Sequence, residues 1–203
     1  VKGVAGVSVD QSASSLTVKT NEITLEDLTL VGTTPDYLTV RDLEMSSGRF
    51  FTNEEVTKAS KVVVLGSSVA ANLFPNDDPL GQVITVDNVK LTVIGVMAPK
   101  GLVSGTDFDE QMYGPIQLVF KKFTPSMFAR IMGDRVRMIF VSVAEDGDMQ
   151  TVINQITILL ANRHKVETDS LDFSISTQDD IIATASSTTE SFRTLLAGVA
   201  GVS

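Results

Sequence analysis

Hydrophobic and polar positions fall into two patterns along this chain. Residues 1–10 alternate small residues with Val, the spacing of a strand that buries one face. Val4, Val7 and Val9 predict a first strand with a glycine kink, and residues 16–20 and 23–31 predict a hairpin around Asn21-Glu22. Asp36 is placed to cap a short helical segment reaching Glu44, which Ser46-Ser47-Gly48 breaks. Thr52 before Glu54-Glu55 predicts an N-cap with first-turn carboxylates. The apolar run Val62-Val63-Val64-Leu65 predicts a buried strand ending at Gly66. Ser67-Ser68 then cap a short helix through Val69, Leu73 and Phe74, which Pro75 stops. Residues 82–86 and 89–97 form the arms of a hairpin, with Asp87-Asn88 as a two-residue turn that tolerates positive φ.

Further on the spacing changes. Residues 99–114 predict a long polar loop with Phe108 at the surface, residues 116–120 a strand, and Thr124-Pro125-Ser126 a helical turn through Phe128 and Ile131, closed by Gly133. Residues 135–144 predict a strand. Asp148 caps a helix with Met149, Val152, Ile153, Ile156, Leu159 and Leu160 at helical spacing. Residues 171–176 predict a strand, and Thr177 caps a last helix striped by Ile181, Ala185, Phe192, Leu195 and Val199. The order β-α-β-α suggests a right-handed split βαβ unit. The predicted fold class is α+β in two lobes: a porter-like split βαβ α/β lobe from residues 1–35 and 134–203, with a β-rich lobe, residues 36–133, inserted between its halves.

Composition narrows the function classes. Hydrophobic content of 43% over 203 residues is enough for a core, and 6% aromatic content without Trp makes that core mainly aliphatic. The net charge of −9 argues against nucleic acid, whose phosphates need clustered Lys and Arg. The densest basic group, Arg130, Arg135 and Arg137, reads as solvated strand and loop positions. With no Cys, disulfides and thiolate chemistry are excluded. No run reaches the roughly 20 apolar residues of a spanning helix. Residues 195–202 are nevertheless apolar on every side, unlike the one-sided stripe before them, and are expected to begin a membrane helix continuous with the helix starting near Gln178.

Candidate chemistry is sparse. Gly66-Ser67-Ser68-Val69-Ala70, between a strand and a helix, has the context of a nucleophile elbow at Ser68. Capping by Ser67 and Ser68 is the favoured reading, because an elbow needs a histidine base and the one histidine, His164, sits between Arg163 and Lys165 at a helix end. Asp107, Asp109 and Glu110 resemble a calcium loop only superficially, lacking the central glycine and distal glutamate. Asp77-Asp78 and Asp179-Asp180 occupy a turn and a helix start, where carboxylates are structurally favoured. Met97, Met112, Met127, Met132 and Met138 read as core filling, with an adaptable binding surface as the other possibility. No P-loop sequence is present. No catalytic, cofactor-binding or metal-ligating residue is assigned.

The ordered set of segments does resemble a known family. Gly32-x-x-Pro35-x-Tyr37, Gly48-Arg49-Phe50-Phe51-Thr52, the strand at 62–65 followed by Gly66-Ser67-x-Val69-Ala70-x-x-Leu73-Phe74, then Asp78-Pro79-Leu80-Gly81-x-x-Ile84 and Val93-Ile94-Gly95-Val96, together resemble the periplasmic core domain of MacB/FtsX-type ABC transporter permeases. Residues 195–202 resemble the entry to that family's second transmembrane helix. The family carries a further strand and helix ahead of the segment matched by Gly3-Val4-Ala5-Gly6-Val7. The resemblance implies a non-catalytic extracytoplasmic domain of a cytoplasmic-membrane protein, either periplasmic or at the cell surface. Its implied partners are its own transmembrane helices, an ABC ATPase subunit or domain, a periplasmic adaptor (membrane fusion) protein, and a second permease in a homodimer or heterodimer. Two rival readings are a secreted serine hydrolase using Ser68 and an unrelated extracytoplasmic ligand-binding domain.

Overall fold

The computed structural model describes residues 1–103, 105–124, 136–167 and 170–183. They belong to two compact units, Val4–Glu145 and Val1–Gly3 with Asp146–Ser203.

The larger unit is built on β1 (Val4–Lys19) and β2 (Thr24–Thr33), an antiparallel pair. It continues through α1 (Tyr37–Val40), β3 (Met45–Gly48), α2 (Asn53–Lys58), β4 (Val62–Leu65) and α3 (Ser67–Leu73). Next come β5 (Val83–Val86), β6 (Val89–Met97), the short β7 (Leu102–Val103) and β8 (Thr106–Asp107), β9 (Gln111–Pro115), α4 (Ile116–Lys122) and β10 (Met138–Val143). Strand pairing runs β1-β2-β9-β4-β6-β5 and returns from β5 to β1, so six strands close into a ring. Closure satisfies the edge groups that an open sheet would leave bare.

Asp87 fastens that closure. It turns the β5–β6 hairpin at φ 49°. Its N–H donates to the Thr17 carbonyl at 2.8 Å, and its Oδ1 accepts from the Thr17 N–H at 3.0 Å. The register shifts that bend the β1–β2 ribbon flank Ser15 and Asp27, both at positive φ. One face of the ring strands, with Leu16, Val63, Ile84, Leu91 and Met112, forms a single apolar cluster that α3 and α4 complete through Leu73 and Leu118. The other face carries a second cluster in which Val31, Val64 and Tyr113 meet Tyr37, Phe51 and Phe108.

β1 serves three ladders, the one to β5 through Val18 and Lys19. Residues Val4–Asp10 pair with β10, and residues from Gln11 onward pair with β2. The expected lobe boundaries near 35 and 133 both fall inside the Val4–Glu145 unit, in which β2 is a stave of the ring.

The smaller unit contains α5 (Met149–His164), capped by Asp148, whose Oδ2 accepts the Thr151 N–H at 2.8 Å. Lys165 ends the helix in the left-handed conformation. Lys2 N–H donates to Gln155 Oε1 at 3.0 Å, which ties the first residues to α5. Thr177 and Asp180 cap each other reciprocally at the start of a helical stretch, residues 178–183.

Several local expectations change. Residues 116–120 are helix α4, not a strand. The apolar run is too short to show its period, and the telling signals are Pro115 at the N-cap and Lys121-Lys122 in the last turn. The strand lies one step earlier, in Gln111–Pro115, hidden by its Gly and Pro. The loop expected over 99–114 therefore holds three short strands. Residues 171–176 have strand-like alternation but join no ladder among the described residues. The helix expected to reach Glu44 stops at Val40, and Asp36 makes no side-chain cap bond. The helical turn at 125–133 and the apolar segment 195–202 lie outside the described residues.

The α2 cap matches its expectation and carries a pH prediction. Thr52 and Glu55 form a capping box, and Arg49 grips Glu55 through two 2.8 Å bonds. The Arg49 guanidinium, supported by the Thr52 N–H, pulls the Glu55 carboxyl down from 4.5 to about 2. A depressed carboxyl stabilises the fold above its ordinary pKa and loses that contribution as pH falls through its folded value. The window therefore runs from about 4.5 down to about 2. Arg49 is half exposed, so screening trims the pair, and cap and pair together contribute about 1–2 kcal/mol. Glu55→Gln should lower the urea midpoint at pH 7 and flatten its fall between pH 4.5 and 2. A slope equal to wild type would remove Glu55 from the acid response.

Candidate functional site

The elbow-like serines open α3 without capping it. Gly66 is the N-cap, with no side-chain cap bond. The helix start is met from outside: the N–H groups of Ser68 and Val69 both donate to the Asp109 carbonyl, at 3.1 and 3.3 Å, and Gly66 N–H donates to Gln111 O at 2.8 Å. His164, in the smaller unit, shares a 2.8 Å bond with Asp172 and sets its ring edge-on to Phe173. Both side chains of the pair are about half exposed.

The carboxylates of the 98–110 loop hold its backbone. Asp109 Oδ1 accepts Lys100 N–H at 2.8 Å and Oδ2 accepts Gly101 N–H at 2.9 Å. Asp107 Oδ1 accepts Asp109 N–H at 3.0 Å. Asp109 thus anchors the loop twice, with its carboxylate inward on the loop and its carbonyl on α3. Lys100 Nζ adds a bond to the Arg41 carbonyl at 3.3 Å, an ion pair with Asp42 at 3.0 Å and a bond to the Asp42 carbonyl. Elsewhere Asp78 Oδ1 accepts Leu80 N–H in its turn, and Asp180 belongs to the Thr177 cap. Met97 and Met112 are buried, and Met138 is exposed. Met127, Met132, Arg130 and Arg135 lie outside the described residues, while Arg137 pairs with Asp10 at 3.5 Å.

Phe108 reverses the expectation placed on it. It is only 3% exposed, in the cluster that also holds Tyr37 and Tyr113. The Tyr113 hydroxyl donates to the Phe108 carbonyl at 2.9 Å, and Arg41 stands 5.0 Å from the Phe108 ring centroid. Burial pushes the Tyr37 hydroxyl up to about 12 and the Tyr113 hydroxyl upward as well, so both stay neutral. What the loop exposes is the β7–β8 hairpin, with Leu102 70% and Val103 40% exposed. Sequence reading missed Arg41 and Tyr113 as parts of this arrangement.

The model of the MacB-like periplasmic core domain family matches residues 1–159. The chain belongs to this family. It is 34% identical over 198 residues to a macrolide export ATP-binding/permease protein MacB from Azoarcus sp. (strain BH72), an alignment covering 97% of this chain and 28% of that protein. The MacB of Rhodospirillum rubrum is 30% identical over 99% of the chain and 29% of its own length. The chain thus spans under a third of these curated relatives. Among solved structures, the periplasmic region of MacB from Actinobacillus actinomycetemcomitans superposes with a TM-score of 0.75 at 25% identity, covering 92% of this chain and 78% of that one. The extracellular domain of the ABC-type transporter YknZ from Gram-positive bacteria shares the fold, with a TM-score of 0.65 at 22% identity over 83% and 80% of the two chains. The mixed α/β class and the family resemblance both stand. No helix among the described residues is long and apolar enough to cross a membrane.

Proposed function

We propose that this MacB-like periplasmic core domain is the extracytoplasmic domain of an ABC-type permease and relays ATP-driven movement of transmembrane helices to a substrate or an adaptor protein during export. The observation that carries this reading is the 34% identity to a macrolide export permease over nearly the whole chain. ATP hydrolysis belongs, in this reading, to a separate nucleotide-binding part. The partners are the protein's own membrane helices, that ATPase, a second permease and a periplasmic adaptor. The domain itself is non-catalytic, and a two-lobed division, with residues 1–35 and 134–203 forming an α/β lobe and residues 36–133 an inserted β-rich lobe, belongs to the same proposal. The exposed β7–β8 hairpin is the partner-facing element, because its apolar tip is held out by a base that four side chains, Lys100, Asp107, Asp109 and Tyr113, fix in place.

The test uses the full-length protein. Leu102→Asp should cut export at least tenfold while ATPase activity and membrane assembly remain, and Ser68→Ala should leave export at the wild-type level. Wild-type export by both Leu102→Asp and Val103→Asp would remove the hairpin from the contact. Loss of export in Ser68→Ala, with Ser68-dependent labelling by a fluorophosphonate, would favour the hydrolase reading instead.

A further inference from the structure

β10 holds to the rest of its unit through the first half of β1, and it sends one aromatic side chain toward α1. The Phe140 ring lies edge-on to Tyr37, with centroids 6.3 Å apart, and 4.3 Å from the centre of the Arg41 guanidinium. That same guanidinium is 5.0 Å from the Phe108 ring. A second route runs beside it: Tyr37 packs at 5.8 Å on Tyr113, whose hydroxyl holds the Phe108 carbonyl. Phe108 N–H donates in turn to Gly101 O at 3.2 Å, next to the amides that Asp109 clamps. Lys100 closes the circuit by bonding the Arg41 carbonyl and Asp42.

A cation over two rings gains from both only while both stay within about 6 Å. Close-packed side chains pass a displacement on rather than absorb it. We propose that Arg41 is a positioning residue that couples movement of β10 to the pose of the β7–β8 hairpin, its guanidinium serving as a clasp between Phe140 and Phe108. The use of that coupling in export rests on the relay reading above, whereas the coupling itself does not.

Hydrogen exchange on the 203-residue chain tests it, read by mass spectrometry on peptides spanning residues 99–109. Phe140→Leu should speed their exchange at least threefold although residue 140 is on another strand, and Arg41→Met should do the same. The double variant should be no faster than the faster single one. Unchanged exchange in Phe140→Leu, or equal acceleration with and without Arg41, overturns the clasp. Should Phe140→Leu fail to fold, Arg41→Lys decides: a retained cation should restore at least half of the protection that Arg41→Met loses, and equal loss in both overturns the proposal. In the full-length protein, wild-type export by Arg41→Met despite lost exchange coupling would keep the clasp and discard the relay.

Discussion

Phe108→Asp should unfold the larger unit rather than disable a contact surface. The ring is 3% exposed and sits among Tyr37, Phe51, Val64 and Tyr113. Removing a buried phenyl group costs about 3–5 kcal/mol through lost burial and the cavity left behind. The carboxylate then adds a desolvation cost, or takes up a proton to avoid it. Arg41 offers partial compensation as a nearby cation, but it gives up its own contact with the ring. The sum is a large part of the about 5–15 kcal/mol that holds a typical domain together. Phe108→Leu keeps most of the volume and should cost about 1–2 kcal/mol. Urea midpoints with far-UV circular dichroism separate these cases. A Phe108→Asp midpoint close to that of Phe108→Leu would mean that the loop opens without the core. Comparison with Phe108→Asn measures what Arg41 rescues: an Asp variant more stable than the Asn variant identifies the guanidinium as its partner.

Elements whose signals are local were legible: the Thr52-Glu55 capping box, the Asp148 cap, the Val62–Leu65 strand and the Asp87-Asn88 hairpin all form as their residues dictate. Each is decided within a few positions of chain. Phe108 is buried mainly by residues far away in sequence, Tyr37, Phe51 and Val64 among them, so its polar neighbours Asp107 and Asp109 point to the wrong environment. Ring closure was illegible for the same reason, since the β1–β5 ladder joins Val18 to Val86. Residues 116–120 were misread because five apolar-rich positions cannot distinguish a period of 2 from one of 3.6. The 99–114 region reads as an exposed loop with Phe108 at its surface, whereas the structure buries Phe108 and exposes Leu102 and Val103.

Gly66→Ala should be nearly as damaging, for a reason that also removes the enzyme-like look of Gly66-Ser67-Ser68. The backbone there, φ −65° and ψ 158°, is one that any residue adopts, so conformation does not demand glycine. Space does. A Cβ at this position would stand 2.7 Å from the Gln111 carbonyl oxygen, 2.8 Å from the Asp109 carbonyl carbon, and closer still to the Asp109 carbonyl oxygen. These are main-chain atoms and cannot rotate away. The segment is pinned by the Gly66–Gln111 and Ser68–Asp109 bonds, by the grip of Asp109 on Lys100 and Gly101, and by the pairing of Leu65 with Met112. Overpacking of a fixed site costs about 1–3 kcal/mol, and each backbone hydrogen bond broken to relieve it adds about 1 kcal/mol. An expected loss of about 3–5 kcal/mol follows if two bonds yield. Gly81 supplies the control. It has φ +78°, and a Cβ there would meet nothing within 4 Å, so Gly81→Ala carries only the backbone penalty of about 1 kcal/mol. Chemical denaturation of the two variants should therefore differ by about 2–4 kcal/mol. Equal midpoints would show that the 109–111 segment moves freely away from α3, and the glycine before the serines would again need a functional explanation.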